Sequence, residues 1–210
     1  MRVSVLVSGG GSNLQSLLDM CYFRTEPQVQ LSAVIASTPD AYALERARRA
    51  GIPAYVVERE NFPNNASFCN ALLGKLRDLD TDLVVLAGFS EKLNYPLLHF
   101  YKNRVISTQP ALFPAFCARS FDPLRALADT VRLGVRVTGA TAYFLTEEDS
   151  GFGPIICQRA LETRGGESEA TLAERIMREC EHVVLPEAVK LFCSGRLRVE
   201  GERVVICPEK

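Results

Sequence analysis

Apolar residues come in short, nearly unbroken runs through the first half of the chain. Val3 to Val7, Leu31 to Ala36, Ala54 to Val57 and Asp82 to Ala87 each read as a strand. Stretches with helical spacing lie between them. Leu14, Leu17 and Leu18 share one face after Asn13, Ala41 to Ala50 is rich in helix formers, and Ser67 to Leu79 is also helical. Gly51 follows the second of these, at a position suited to a left-handed cap. Strands this apolar, alternating with helices, predict an α/β fold with a parallel sheet covered on both faces.

The pattern changes in the second half. A short helix at Leu97 to Tyr101 leads to a strand at Arg104 to Ser107 and then to a loop rich in Pro and aromatics, Gln109 to Pro123. Leu124 to Ala128 reads as helical. Val137 to Leu145 and Pro154 to Ala160 read as strands whose connection is too short for a crossover helix, so they pair antiparallel. Thr171 to Ser194 has the length of one long helix, with a kink or break expected at Pro186. Leu197 to Ile206 reads as a hairpin around Gly201-Glu202. Neither repeats nor a low-complexity linker appear, so a single domain over 1–210 is expected, its sheet parallel in the N-terminal half and mixed in the C-terminal half.

Composition narrows the function. The 210 residues are 47% hydrophobic, and 24 Lys+Arg balance 25 Asp+Glu to a formal net charge of -1. Without a basic excess or run, a nucleic-acid partner is not expected. The longest apolar runs fall far below the roughly 20 residues that span a bilayer, and the apolar N-terminus is too short for a secretory signal. Cysteines stand at 21, 69, 117, 157, 180, 193 and 207, with no CxxC pair. Such scatter argues against a disulfide framework or a metal site and fits a reducing cytoplasm. The expected partner is a small molecule, and the expected assembly a monomer or homodimer.

The strongest local signal is strand, Ser8-Gly9-Gly10-Gly11-Ser12-Asn13, helix. Glycines let the backbone turn tightly and approach a ligand, and a helix N-terminus offers N–H groups to an anion. The loop lacks both the Walker A lysine and the full GxGxxG spacing. Gly11, Ser12 and Asn13 are the candidate phosphate site; the other reading is a plain tight turn.

At this point the chain resembles the glycinamide ribonucleotide (phosphoribosylglycinamide) formyltransferases of purine synthesis. VLVSGGGSNLQSLLD at 5–19, ALERARRAGIP at 43–53, DLVVLAGF at 82–89, RVISTQPALFP at 104–114, GPIICQ at 153–158 and EHVVLP at 181–186 occur in the family's order along nearly the whole chain. The resemblance implies a formyltransferase-like domain, Rossmann-like in its N-terminal half, with 1–100 serving phosphate and nucleotide and 101–210 serving folate and catalysis. It implies formyl transfer from 10-formyltetrahydrofolate, as co-substrate, to glycinamide ribonucleotide, without a metal. Carried over residue by residue, Gly11, Ser12 and Asn13 take the substrate phosphate, and Glu181 is the acidic contact near the ribonucleotide. Phe89, Leu93, Arg104 and Phe152 belong to the folate pocket.

The same alignment of motifs exposes departures. The family's Asn-x-His-Pro-Ser-Leu reads Ser107-Thr108-Gln109-Pro110-Ala111-Leu112 here. Formyl transfer passes through a tetrahedral oxyanion and needs a route for protons between two amines. Ser107 is a shorter donor than Asn, and Gln109 cannot titrate near neutral pH. Loss of one oxyanion donor costs other enzymes about 2.7–4 kcal/mol. The family's distal acid falls on Asp149 if the loop carries an insertion, or on Gly151 by direct count from Pro154. Glu91 stands where the family has a basic residue and Phe152 where it has Gly, both opposing folate. Ser107, Gln109 and Asp149 are therefore the catalytic candidates of a degenerate site, and weak or absent transfer is expected. Two alternatives stand beside it: a non-catalytic ligand-binding or regulatory homologue, and a formyltransferase relative with a changed acceptor.

Overall fold

A computed structural model of the chain describes residues 1–22, 27–115, 123–147 and 153–209. Its elements begin β1 (Arg2–Val7), α1 (Ser12–Tyr22), β2 (Gln30–Ala36), α2 (Ala43–Arg49) and β3 (Ala54–Val56). Then come α3 (Asn65–Asp78), β4 (Leu83–Leu86), α4 (Leu97–Phe100) and β5 (Val105–Gln109). The remainder is α5 (Pro123–Arg132), β6 (Val137–Phe144), β7 (Ile155–Glu162), α6 (Glu169–Ile176), a π-helical turn at Met177–Glu181, α7 (His182–Cys193), β8 (Leu197–Glu200) and β9 (Arg203–Ile206). The seven-stranded sheet runs β3-β2-β1-β4-β5-β6-β7, and β8 and β9 form a separate hairpin. Strands β1 to β5 pair parallel, whereas β6 and β7 pair antiparallel. The parallel first half and mixed second half read from the hydrophobic pattern are both present.

The chain divides into two compact units, Met1–Ile106 with Leu145–Glu147, and Ser107–Phe144 with Glu148–Lys210. In the first unit, Leu6, Ile35 and Val84 of the sheet pack with Phe68, Leu72 and Leu76 of α3 and with Leu97 of α4, all fully buried. Each such side chain contributes about 1.5–3 kcal/mol by leaving water. Helix ends follow local chemistry. Asn64 Oδ1 accepts from the Ser67 amide at 2.9 Å to cap α3. At the end of α2, the Gly51 and Ile52 amides donate to Arg48 and Ala47, a Schellman closure that needs the +70° φ of Gly51.

The second unit corrects one expectation. The long segment after residue 168 does not break at Pro186, which sits inside α7. The irregularity lies upstream, in the π turn at Met177–Glu181. Proline in a helix interior removes one backbone donor, and Pro186 is accommodated within α7. Cys157 on β7 illustrates how the cysteines are used: burial, with Glu187 adding to it, pushes its thiol up to about 12. Such a thiol behaves as a small apolar group.

Candidate functional site

The glycine loop follows β1 where the sheet order reverses. The chain leaves β1 for β2 and β3 on one side and returns to β4 on the other. In open α/β sheets this switch point, beyond the carboxyl ends of the strands, is where ligands bind. Three carbonyls of the loop are committed to the fold. Gly9 O accepts from the Ala43 amide at 3.1 Å and Gly11 O from the Gln15 amide at 2.9 Å. Gly10 O accepts from Arg46 Nε at 2.8 Å, and Arg46 Nη1 also donates to Gln15 Oε1. Donors at the start of α1 are what remains to offer an anion, since the first N–H groups of a helix lack intrahelical acceptors. Asn13 is buried, and among the described residues its Oδ1 has no hydrogen-bond partner. An orphan of this kind costs about 1–3 kcal/mol, which a ligand hydroxyl, or the flipped amide donating to an anion, removes.

Hydroxyls tie the neighbouring loops together. Ser8 Oγ meets Ser37 Oγ at 2.8 Å and accepts from the Ser90 amide at 2.9 Å. Beyond Ser90, the candidate folate residues of the first unit separate into two kinds. Leu93 is a buried member of the core, and Phe89 packs against that core, stacked on Phe68 with ring centroids 6.4 Å apart. Arg104 donates to Phe100 O at 2.6 Å and lies over the Tyr101 ring, so its guanidinium caps α4. Glu91 is not the unopposed acid its sequence position suggests: Arg59 Nε lies 3.8 Å from its carboxylate. Asp149, Gly151 and Phe152 lie outside the described residues.

In the second unit, Ser107 is buried and Gln109 half-buried on β5. Strand alternation puts them on one face and Thr108 on the other. Among the described residues the Gln109 side chain has no hydrogen-bond partner. Thr108 Oγ1 donates to Glu181 Oε1 at 2.9 Å, which ties the last residue of the π turn to β5. The loop leaving β5 is fixed by the fully buried Thr141. Its hydroxyl donates to Ala111 O at 2.7 Å and accepts from the Phe113 amide and from Gln158 Nε2. The motifs single out Ser107, Gln109 and Glu181 as candidates and leave Thr108, Arg46 and Thr141 unassigned. Thr108 is the unassigned position between two candidates, and Arg46 lies in the Ala41 to Ala50 stretch read only as a helix. Among the described residues, no group of three or more His, Cys, Asp or Glu side chains could hold a metal ion, and no helix is long and apolar enough to cross a membrane.

A parallel sheet with a glycine turn at its switch point is an open α/β architecture whose ligand position lies beyond the strand ends. Residues 1–189 match the family described as formyl transferase. The chain belongs to that family. Over 199 residues it is 32% identical to the phosphoribosylglycinamide formyltransferase of Haemophilus influenzae, covering 95% of this chain and 90% of that protein. It is 36% identical over 208 residues to the human trifunctional purine biosynthetic protein adenosine-3, covering 98% of this chain and 20% of that protein. The chain thus spans about a fifth of the length of these larger relatives. The crystal structure of glycinamide ribonucleotide transformylase 1 from Symbiobacterium toebii superposes with a TM-score of 0.90 at 40% identity, covering 99% of this chain and 94% of that one.

Proposed function

We propose that the protein is a phosphoribosylglycinamide formyltransferase by fold and by ligand, retaining the ribonucleotide site but turning over far more slowly than its chemistry allows elsewhere. Gly11, Ser12 and Asn13 take the phosphate of glycinamide ribonucleotide, and Glu181 accepts hydroxyl groups of the same substrate. In the reaction the substrate amine attacks the formyl carbon of 10-formyltetrahydrofolate. A new N–C bond forms, the donor N–C bond breaks, and a proton passes from the attacking to the leaving nitrogen. The observation that carries the reading is the pair Ser107 and Gln109 on β5. Gln109 can donate to the developing oxyanion through Nε2 but cannot relay a proton, so stabilisation survives in part and acid–base assistance, worth about 10²–10⁴-fold, does not.

Two measurements test it. Calorimetric titration should give saturable binding of glycinamide ribonucleotide that is lost in Gly11→Ala. Single-turnover assays with both substrates should give slow formyl transfer that falls further in Gln109→Ala. An ordinary enzymatic rate, on the order of 10 per second, would sink the slow reading. Binding with no transfer at all would favour the non-catalytic homologue.

A further inference from the structure

Three consecutive peptides of the glycine loop are anchored by their carbonyls. Backbone amides hold two of them, Ala43 N–H on Gly9 O at 3.1 Å and Gln15 N–H on Gly11 O at 2.9 Å. The middle one, Gly10 O, is held by a side chain, Arg46 Nε of α2 at 2.8 Å. Across a planar trans peptide, the C=O of one residue and the N–H of the next point in opposite directions. Fixing Gly10 O towards Arg46 therefore turns the Gly11 N–H the other way, and among the described residues that N–H has no acceptor. A cationic donor on the carbonyl also polarises the peptide and strengthens the N–H at its other end. The guanidinium is itself held by further contacts. Nη1 donates to Gln15 Oε1 at 2.8 Å, Gln15 Nε2 donates on to Asp19 Oδ1 at 2.9 Å, and the Tyr42 ring centroid lies 5.2 Å from Cζ. Two residues beyond Gly11, Asn13 is 8% exposed with an Oδ1 that has no partner among the described residues, a second polar group of this turn that the fold does not use.

We propose that Arg46 is a positioning residue: by holding and polarising the Gly10–Gly11 peptide it presents the Gly11 N–H to the phosphate of the ribonucleotide, without touching the anion itself. The inference rests on the phosphate reading given above and adds to it a residue from another helix. It requires the planar fork of a guanidinium, because a single ammonium does not hold Gly10 O and Gln15 in one fixed geometry.

The test uses the full chain with Arg46→Met, Arg46→Lys and Gly11→Ala. Without ligand, carbon-13 NMR of the Gly10 carbonyl reads the contact, and its resonance should move upfield in Arg46→Met, which has no donor. With ligand, Arg46→Met should bind inorganic phosphate about tenfold more weakly than the wild type. Its Gly11 amide proton should also shift less downfield at phosphate saturation. A role confined to stability lowers the melting temperature but moves neither of these readings in the folded protein. Arg46→Lys keeps the charge and the apolar stem, and it should still bind phosphate more weakly than the wild type; it decides the matter if Arg46→Met does not fold. An unmoved Gly10 carbonyl in Arg46→Met overturns the contact. Full phosphate affinity in Arg46→Met overturns the role, and full affinity in Arg46→Lys overturns the positioning by showing that charge alone suffices. If Gly11→Ala abolishes phosphate binding and neither Arg46 variant weakens it, this inference fails alone. If the wild type takes no phosphate, the glycine-loop reading fails and takes this inference with it.

Discussion

Gly11 carries two demands at once. Its φ is +72°, and a side chain there would begin 2.7 Å from Ala43 Cβ and 2.9 Å from Ala43 Cα. The first demand costs any other L-residue about 1–2 kcal/mol. The second cannot be met by a rotamer change, because the obstruction includes backbone of α2. That helix is tied to the loop by the Ala43 amide on Gly9 O and by Arg46 on Gly10 O, so moving it disturbs the carbonyls that shape the proposed anion site. Gly11→Ala should therefore lower the melting temperature by about 4–8 °C, as expected for about 2 kcal/mol in a chain of this size, and abolish phosphate binding. Scanning calorimetry with and without phosphate checks both. A variant that melts normally and still binds phosphate would show that the loop is only a turn. Charge at the Glu91 position is a smaller matter. Its contact with Arg59 is long and partly exposed, worth at most about 1 kcal/mol, yet it offsets the repulsion of an anionic ligand that Glu91 alone would impose.

The connection from β7 into α6 shows what elements do that their periodicity does not announce. Both Glu167 oxygens accept from Arg175 Nη1 at 2.9 Å, and Oε2 also accepts from the Arg164 amide. Arg175 reaches back to Glu162 O at the end of β7 and lies 3.5 Å from Glu179 in the π turn. The two side chains are 5% and 9% exposed, so this pair locks strand, turn and helix together away from water. Hydrogen bonding from the Arg175 guanidinium holds the Glu167 carboxyl below its ordinary 4.5, against the upward pull of burial. A carboxyl depressed on folding stabilises the fold fully above its unfolded value and loses that contribution as pH falls through the folded one. Melting temperature should thus decline below about pH 4.5 in the wild type. Glu167→Gln should melt lower at pH 7 and show a shallower acid decline; an equally steep decline would move the effect to other carboxylates. Apolar runs revealed β1, β2 and β4 because each is buried on both faces. The π turn was hidden, since Thr171 to Ser194 keeps a helical apolar stripe through it and proline was the only visible irregularity.

Across the whole molecule, the candidate residues are distributed over distant segments of the sequence. Motif order nominates Ser107, Gln109 and Glu181, because each belongs to a contiguous stretch with a recognisable pattern. Contacts such as Thr108 with Glu181 and Thr141 with Gln158 were not legible, because a side-chain bond between two strands or a strand and a helix leaves no period in the sequence. Those unseen contacts also bear on the slow transfer proposed above. Thr141 and Gln158 fix the loop from Ala111 to Phe113 through buried and part-buried hydrogen bonds, so the backbone leaving β5 is held independently of the side chains at 107 and 109. Gln109 is half-buried and can accept an imidazole, whereas Ser107 is 8% exposed and must admit a larger carboxamide. The double variant Ser107→Asn/Gln109→His should therefore fold with some loss of stability, yet raise the single-turnover rate of formyl transfer by at least about 100-fold, the lower range for a positioned acid–base group. Rapid-quench assays with 10-formyltetrahydrofolate and glycinamide ribonucleotide measure it. An unchanged rate would put the defect outside β5 and remove Ser107 and Gln109 as its cause. A restored rate should also acquire a dependence on pH near the ordinary imidazole value of about 6.5, which Gln109, having no proton to exchange there, cannot give the wild type.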